Sequence, residues 1–268
     1  MKFEADAVGQ ALHRLFIGVD GTSLRKEDRQ KAQELAPLLE EVARAAKGAS
    51  GLLLDACAGK SALGLLAAEL VLAPGWRVCV LERDAARVLA AVSAVALAGA
   101  SASASARALQ QRAIEIRQAD VQDASAWPNA PDVVVALHAC GPASDAIIDR
   151  AAQAGARHLL LVPCCYGASP KNALADHPIQ GQRLLAPVVD VLPRQALPGR
   201  RLAAAIIDIE RTLRLEALGY DVDVVEFCAA TTTPHNLLWR CRLSKESVRM
   251  AAAQTRLDGL QTLLHVAG

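Results

Sequence analysis

The chain has 268 residues, which is enough for one large domain with a full hydrophobic core. Hydrophobic residues make up 53% and charged residues 21% of it, a balance that excludes a disordered polyelectrolyte. The net charge of +1 provides no whole-chain field that attracts nucleic acid, so DNA is not expected as a partner. The sequence has neither a secretory signal pattern nor a membrane span, which predicts a cytoplasmic protein without a membrane partner whose seven cysteines are thiols.

Short apolar runs alternate with helical periodicity along most of the chain. The first helix is predicted at residues 28–47, with a kink or restart at Pro37. It belongs to a predicted N-terminal helical extension, 1–47, ahead of the main domain, 48–268. Five β-like runs follow, which favours a parallel sheet covered by helices on both faces. These runs lie at 51–55, 77–84, 114–120, 132–141 and 158–167.

Two further strands are predicted near the end of the chain, at 220–230 and 236–244. The segment that joins them, TTTPH, is too short for a crossover helix, so this pair should be antiparallel. The predicted fold is α/β and Rossmann-like, with a mostly parallel seven-stranded sheet that ends in an antiparallel hairpin. Two segments fall outside this pattern: residues 100–108, a loop or weak helix, and an irregular insertion near 168–200 that is rich in proline.

Acidic residues follow three successive strands of the predicted sheet. Asp55 opens the turn DACAGKS, Glu82 ends the second strand and Asp120 ends the third. Ligands of open α/β sheets bind beyond the carboxyl ends of the strands. Three acids there suit the ribose and base of a nucleoside better than a phosphate, which they would repel. The turn also lacks the full G-x-G-x-x-G pattern of dinucleotide-binding proteins.

The order of elements, the D-x-C-x-G-x-S turn and the position of Glu82 resemble the class I S-adenosylmethionine-dependent methyltransferases. The narrower resemblance rests on LHACG at 137–141 with Asp145, VPCCYG at 162–167 and TPHNLL at 233–238. These motifs resemble a subfamily that includes the methyltransferase domains of tRNA 2'-O-methyltransferases and of glutathione-transferase C-terminal-domain-containing proteins. The resemblance implies an S-adenosylmethionine-dependent methyltransferase whose acceptor is unidentified, with RNA as one candidate.

The resemblance also implies which residues contact S-adenosylmethionine. Glu82 holds the ribose, and Asp120 with Val121 flanks the adenine. The family usually has glycine where Cys57 stands, so this chain needs a different turn there. The residues implied on the methionine side are Asp55, Cys57, Gly59 and Ser61.

A group of histidine and cysteine residues follows the fourth and fifth strands and predicts a substrate-facing wall. In one interpretation His138 is a general base or orients the acceptor. In a second the group binds zinc, although the adjacent cysteines are poorly spaced for one metal. A third makes one cysteine a covalent nucleophile, and a fourth treats the cysteines as small buried hydrophobic residues. The candidate residues are His138, Cys140, Cys164 and Cys165.

Two other functions fit the same fold. A non-catalytic Rossmann-like binding module would explain why Cys57 replaces the usual glycine. A nicotinamide-dependent oxidoreductase is disfavoured by the three acids and the broken glycine pattern. The identity of the nucleoside that binds distinguishes these two functions from a methyltransferase.

The TPHN segment at 233–236 lies before the last predicted strand and is interpreted mainly as turn chemistry.

Overall fold

The computed structural model describes residues 2–17, 23–100, 109, 112–139, 141–163, 178–179, 182–183 and 196–265. The helices in these ranges are α1 (Ala5–Leu12), α2 (Lys26–Ala45), α3 (Ala62–Leu70), α4 (Ala85–Ala100), α5 (Pro142–Gln153), α6 (Ala196–Ala217) and α7 (Ser247–His265). The strands of the main sheet are β1 (Ser50–Ala56), β2 (Gly75–Glu82), β3 (Ile114–Gln118), β4 (Val133–Ala139), β5 (His158–Pro163), β6 (Tyr220–Glu226) and β7 (Leu237–Leu243). A π-helix, His13–Ile17, follows α1, and a two-residue ladder pairs Pro178–Ile179 with Gln182–Arg183.

The seven strands form one sheet in the order β3-β2-β1-β4-β5-β7-β6. The first five are parallel, and β7 lies antiparallel between β5 and β6. The strand order reverses between β1 and β4, the type of position at which open α/β sheets bind ligands. The predicted fold class and the terminal hairpin are confirmed.

The central strands β1, β4 and β5 are buried on both faces, as uncharged runs such as VVVAL predict. Leu53 of β1 packs into the core on one face, whereas its neighbours Leu52 and Leu54 pack into the core on the other. This alternation follows from the two-residue period of a strand. Val8 of α1 and Leu35 of α2 lie in the same core as Leu53. The N-terminal helices therefore share a core with the sheet, while a domain boundary at residue 47 stays a prediction.

Helix α2 runs without interruption through Pro37. Proline lacks the N–H that would bond to the carbonyl four residues earlier, which belongs to Gln33. Gln33 is exposed, so water can satisfy that carbonyl. The apolar face of α2 is buried both before and after the proline, and this burial holds the helix in place. The predicted restart at Pro37 is therefore wrong. The buried residues of this face include Leu35, Leu38, Leu39 and Val42.

Parts of two predicted irregular segments lie outside the described residues, at 101–108 and across most of 164–195. The second segment ends earlier than predicted, because α6 begins at Ala196. Pro198 lies in its first turn, where the N–H groups have no intrahelical acceptor and proline is tolerated. Among the described helices, none is long and apolar enough to cross a membrane.

A buried ion pair joins α5 to α6 on one side of the sheet. Arg211 is fully buried and donates to Asp145 through Nε, at 3.0 Å from Oδ1, and through Nη2, at 2.9 Å from Oδ2. Arg214 approaches the same carboxylate, with 2.6 Å between Nη2 and Oδ1. Arg211 also donates to the carbonyl of Gly141, at 3.3 Å. These bonds fix Gly141 and the start of α5.

We expect Asp145→Ala to lower the free energy of unfolding by about 3 to 5 kcal/mol, because it leaves two guanidinium groups without their shared carboxylate in a buried site. Urea denaturation followed by circular dichroism measures this loss. Asp149→Ala is the control, because Asp149 lies one turn further along α5, is half-exposed and contacts Arg214 only at 3.5 Å. It should cost less than about 1 kcal/mol. Equal losses for the two variants would contradict a central role for Asp145.

Candidate active site

Two adjoining cavities lie at the carboxyl edge of the sheet. The first has a volume of about 540 Å³ and is bordered by the turn after β1, the end of β4 and the N-terminal helices. The second, about 370 Å³, is bordered by the residues that follow β2 and β3. Three residues line both cavities and so mark their junction: Cys57, Arg87 and His138.

The turn after β1 has an unusual backbone. Three of its residues have positive φ angles: Cys57 at 56°, Gly59 at 59° and Ser61 at 58°. This region is strained for residues that carry a Cβ, which explains why glycine is common in such turns. The N–H of Ala58 donates to the carbonyl of Leu81 at 3.1 Å, which anchors the turn to β2. Cys57 thus keeps the left-handed turn despite replacing glycine.

Asp55 supports this turn by accepting two hydrogen bonds. Its Oδ2 accepts a bond from the Ser61 hydroxyl at 3.1 Å and one from the Gly64 N–H at 2.9 Å. A Cβ on residue 64 would lie 2.7 Å from the same oxygen, so glycine is required there. Burial raises the pKa of Asp55 to about 7, and the charge of Glu82 adds to the rise, although the two donated bonds oppose it. Asp55 borders the first cavity, whereas Ser61 is fully buried and acts through Asp55.

Glu82 joins the turn to the second cavity. Its Oε2 accepts the N–H of Gly59 at 2.7 Å, and its Oε1 accepts the N–H of Asp84 at 2.9 Å. The side chain is buried but borders the second cavity together with Asp120 and Val121. The predicted acids at the ends of β2 and β3 therefore lie around one cavity.

Cys57 lies close enough to Glu82, Asp120 and Asp55 for their charges to act on its thiol. Burial, followed by the negative charges of Glu82 and Asp120, raises the pKa of its thiol to about 12. Cys57 is therefore a neutral thiol near pH 7, not a nucleophilic thiolate. The four described cysteines, Cys57, Cys79, Cys228 and Cys241, are free thiols, as predicted for that part of the chain.

His138 occupies a bulge near the end of β4. The pairing with β5 shifts between Leu137 and Ala139, and His138 has a φ of 60°. Bulges of this kind change the direction of a side chain and are common next to active sites. The His138 side chain is partly exposed, with its Nε2 2.6 Å from Oε1 of Glu34 on α2.

Glu34 and Lys31 contribute to this region, although neither was predicted from the sequence to have a role. The Glu34 side chain is only 6% exposed, and Lys31 borders the first cavity. One signal was present in the sequence: Glu34 is four residues before Leu38, so it falls on the apolar face of α2. An acid on a buried face needs a partner, and here the partners are His138 and Lys31.

The TPHN segment approaches His138 from the loop between β6 and β7. Burial lowers the pKa of His235, and the charge of His138 lowers it further. Asn236 is buried and donates from Nδ2 to the carbonyl of Cys228 at 2.9 Å, while Thr233 accepts the N–H of His235 at 3.2 Å. These bonds agree with the predicted turn chemistry.

Three predicted wall residues, Cys140, Cys164 and Cys165, lie outside the described residues. Within the described ranges, no three His, Cys, Asp or Glu side chains are grouped so that they could hold a metal ion. The zinc and covalent-thiolate interpretations both depend on cysteines that the structure does not describe.

Comparison with known proteins gives one family match. A model for the family described as "Methyltransferase domain" matches residues 26–169, more than half of the chain. The human glutathione S-transferase C-terminal domain-containing protein is 29% identical over 119 residues, which are 39% of this chain and 19% of that protein. Its homologue from Drosophila pseudoobscura is 27% identical over 135 residues, covering 43% of this chain and 23% of the homologue.

The chain thus spans about one fifth of the length of the curated relatives it matches.

Among solved structures, the chain is similar to magnesium protoporphyrin IX methyltransferase from Synechocystis PCC 6803 with bound S-adenosylmethionine. The TM-score is 0.49 and the sequence identity 13%, and the alignment covers 87% of this chain and 90% of that chain.

The family match includes α2 and all five parallel strands, and therefore the turn after β1 and the ends of β2 and β4. The narrower subfamily indicated by the HxCG and PCCY motifs stays a prediction. The chain belongs to the methyltransferase-domain family, and the predicted class I S-adenosylmethionine-dependent methyltransferase is confirmed at the level of that family.

Proposed function

We propose that this chain transfers a methyl group from S-adenosylmethionine to an acceptor at the carboxyl edge of its sheet. The observation that carries the proposal is the junction of two cavities there, one bordered by Glu82 and Asp120 and the other by the turn after β1 and His138. We assign the nucleoside half of the donor to the second cavity and its methionine half to the side of the turn.

The residues around the second cavity fit a nucleoside. A carboxylate offers about four acceptor positions, and the backbone N–H groups of Gly59 and Asp84 occupy two of those of Glu82. Capacity remains for ribose hydroxyls. Asp120 offers further acceptor oxygens, and buried Val121 offers an apolar contact for the adenine.

The turn after β1 also leaves room for a ligand. A Cβ placed on Gly59 would meet no atom within 4 Å, so the space beside that backbone is open towards the first cavity. Asp55, Cys57 and Gly59 are the residues we assign to the methionine half. Ser61 supports them through its bond to Asp55.

Bound at this edge, S-adenosylmethionine supplies an activated methyl group on a sulfonium. The chain itself contributes mainly by placing donor and acceptor in contact. Apolar side chains of the N-terminal helices, including Leu12 and Phe16, border the first cavity and limit the access of water. We assign to His138, at the junction of the cavities, the role of orienting the acceptor or accepting its proton.

The predicted substrate-facing role of Cys140, Cys164 and Cys165 remains part of the proposal, with zinc binding, covalent catalysis and simple packing as its alternatives. The acceptor is proposed only as a nucleophile that fits beside His138. RNA is a candidate from the subfamily resemblance, and the net charge of +1 gives it no general electrostatic support. A cytoplasmic location likewise stays a prediction.

Calorimetry with S-adenosylhomocysteine and with NAD tests the proposed cofactor. We expect saturable binding of S-adenosylhomocysteine and none of NAD. Glu82→Ala should weaken the binding tenfold or more, because charge-assisted hydrogen bonds contribute about 1.5 to 3 kcal/mol each. It should also destabilise the turn after β1, since Gly59 loses its acceptor.

Glu115→Ala is the matched control for that experiment. Glu115 lies on the neighbouring strand β3, its exposed carboxylate pairs with Arg117, and it borders neither of the two cavities. Its replacement should leave the affinity for S-adenosylhomocysteine unchanged. Binding of NAD alone, or an unchanged affinity in a folded Glu82→Ala protein, would refute the assignment of the nucleoside half.

The raised pKa of Asp55 predicts a pH-dependent stability. A carboxyl that titrates near 7 when folded and near 4 when unfolded favours the folded state most at low pH, and this contribution is lost as the pH rises from about 4 to about 7. Asp55→Asn removes the effect. Relative to the wild type, the variant should therefore gain about 2 to 4 kcal/mol between pH 4.5 and pH 8.

Urea denaturation at the two pH values measures this change. Asp123→Asn is the control, because hydrogen bonds from Ser125 lower the pKa of that exposed carboxyl. Its titration should therefore change the free energy of unfolding only below pH 4.5. A difference between Asp55→Asn and wild type that stays constant from pH 4.5 to pH 8 would show that Asp55 is already ionised throughout.

A further inference from the structure

Glu34 is a buried carboxylate held from two sides. Its Oε1 lies 2.6 Å from Nε2 of His138, and its Oε2 lies 2.8 Å from Nζ of Lys31, three residues earlier on α2. The side chain of Glu34 is 6% exposed, compared with 32% for that of His138. The contact thus joins a rigid, buried group on the N-terminal helices to a partly exposed ring at the edge of the sheet.

The charge state of Glu34 suits it to accept a hydrogen bond. Burial raises the pKa of its carboxyl, but the bond from His138 and the nearby ammonium of Lys31 together outweigh it, so the pKa lies below its ordinary value. Glu34 is therefore ionised near neutral pH. An ionised carboxylate oxygen 2.6 Å from Nε2 favours a proton on that nitrogen of the His138 ring. The contact therefore favours one position of the ring proton and restrains the direction of the ring.

The backbone at His138 points to a functional reason for this contact. A non-glycine residue at a φ of 60° costs about 1 to 3 kcal/mol and persists only where its surroundings impose it. Here the β-bulge and the bond to Glu34 impose it on a residue that borders both cavities. The ring is held at the place where donor and acceptor would meet.

We propose that Glu34 is a positioning residue for methyl transfer: it fixes the tautomer and orientation of the His138 ring and balances its charge when the ring holds the proton of the acceptor. This inference rests on the proposed function and on the role assigned there to His138. Glu34 is not among the described residues that line the two cavities, so it acts through His138.

A spectroscopic experiment tests the pairing without a methyl acceptor. In ¹⁵N-histidine-labelled protein saturated with S-adenosylhomocysteine, we expect a downfield, slowly exchanging imidazole N–H that disappears in His138→Asn and is thereby assigned. Glu34→Gln should move this resonance upfield or speed its exchange, because a neutral amide is a weaker acceptor than a carboxylate. An unchanged resonance in Glu34→Gln, or none in the wild type, would overturn the proposal.

Glu41→Gln is the matched control. Glu41 is also on α2, is equally buried and is ion-paired, with 2.6 Å to Nη2 of Arg240, but it lies away from both cavities. Its replacement removes the same charge from the same helix. It should lower stability to a similar extent and leave the histidine resonance as it is in the wild type.

Transfer of tritium from methyl-labelled S-adenosylmethionine supplies the second test, with total RNA and a protein-free small-molecule extract as separate acceptor pools. Glu34→Gln should lower the rate about 10- to 100-fold, while its affinity for S-adenosylhomocysteine changes less than threefold. Glu41→Gln should retain the wild-type rate. Full activity in folded Glu34→Gln would overturn positioning. Absence of transfer by the wild type would count against the proposed function instead, and the histidine resonance then decides on the pairing.

Discussion

The buried carboxyl of Asp55 is the interaction on which the site depends. It accepts a hydroxyl and a backbone N–H beneath a turn in which three residues have left-handed backbone angles. A turn of this shape is strained in isolation, so it needs support from outside itself. Glu82 supplies the second support by accepting the N–H of Gly59 from the end of β2. The two acids thereby set the shape of the turn and also border the cavities.

The end of β4 is also held by side chains from neighbouring elements. The bulge at His138 directs the ring to the junction of the cavities, and Glu34 on α2 holds the ring in place. Beyond the bulge, Arg211 secures the carbonyl of Gly141 and the carboxylate of Asp145. The end of β4 and the start of α5 are therefore held by groups on opposite sides of the sheet. The N-terminal helices belong to this arrangement because they share a core with β1 and border the first cavity.

The fold could be predicted from the sequence because the central strands are short, mainly apolar runs that are followed by turns or acids. Parallel strands bring their carboxyl ends to one edge, so the proximity of Asp55, Glu82 and Asp120 follows from the topology alone. The bounds of individual elements were harder to predict. Pro37 was expected to kink or restart its helix and Pro198 to lie in an irregular insertion, yet α2 continues through Pro37, and Pro198 lies in the first turn of α6.

The detailed contacts of the site could not be predicted in the same way. The bond between Glu34 and His138 joins residues far apart in the chain, and only the packing of α2 brings them together. The left-handed backbone at Cys57 has no local sequence signal, and at His138 the signal is weak, since histidine adopts positive φ angles more often than most residues but still uncommonly. Glu82 was predicted for its carboxylate alone, whereas its backbone partners appear only once β1 and β2 are paired.

A crystal structure of the protein with S-adenosylhomocysteine bound tests the central claim most directly, namely that the donor lies across the two cavities at the carboxyl edge of the sheet. The account predicts ribose hydroxyls within hydrogen-bond distance of Glu82, the adenine beside Val121, and the sulfur between the turn after β1 and His138. A nucleoside bound away from this edge, or a ribose that makes no contact with Glu82, would contradict it.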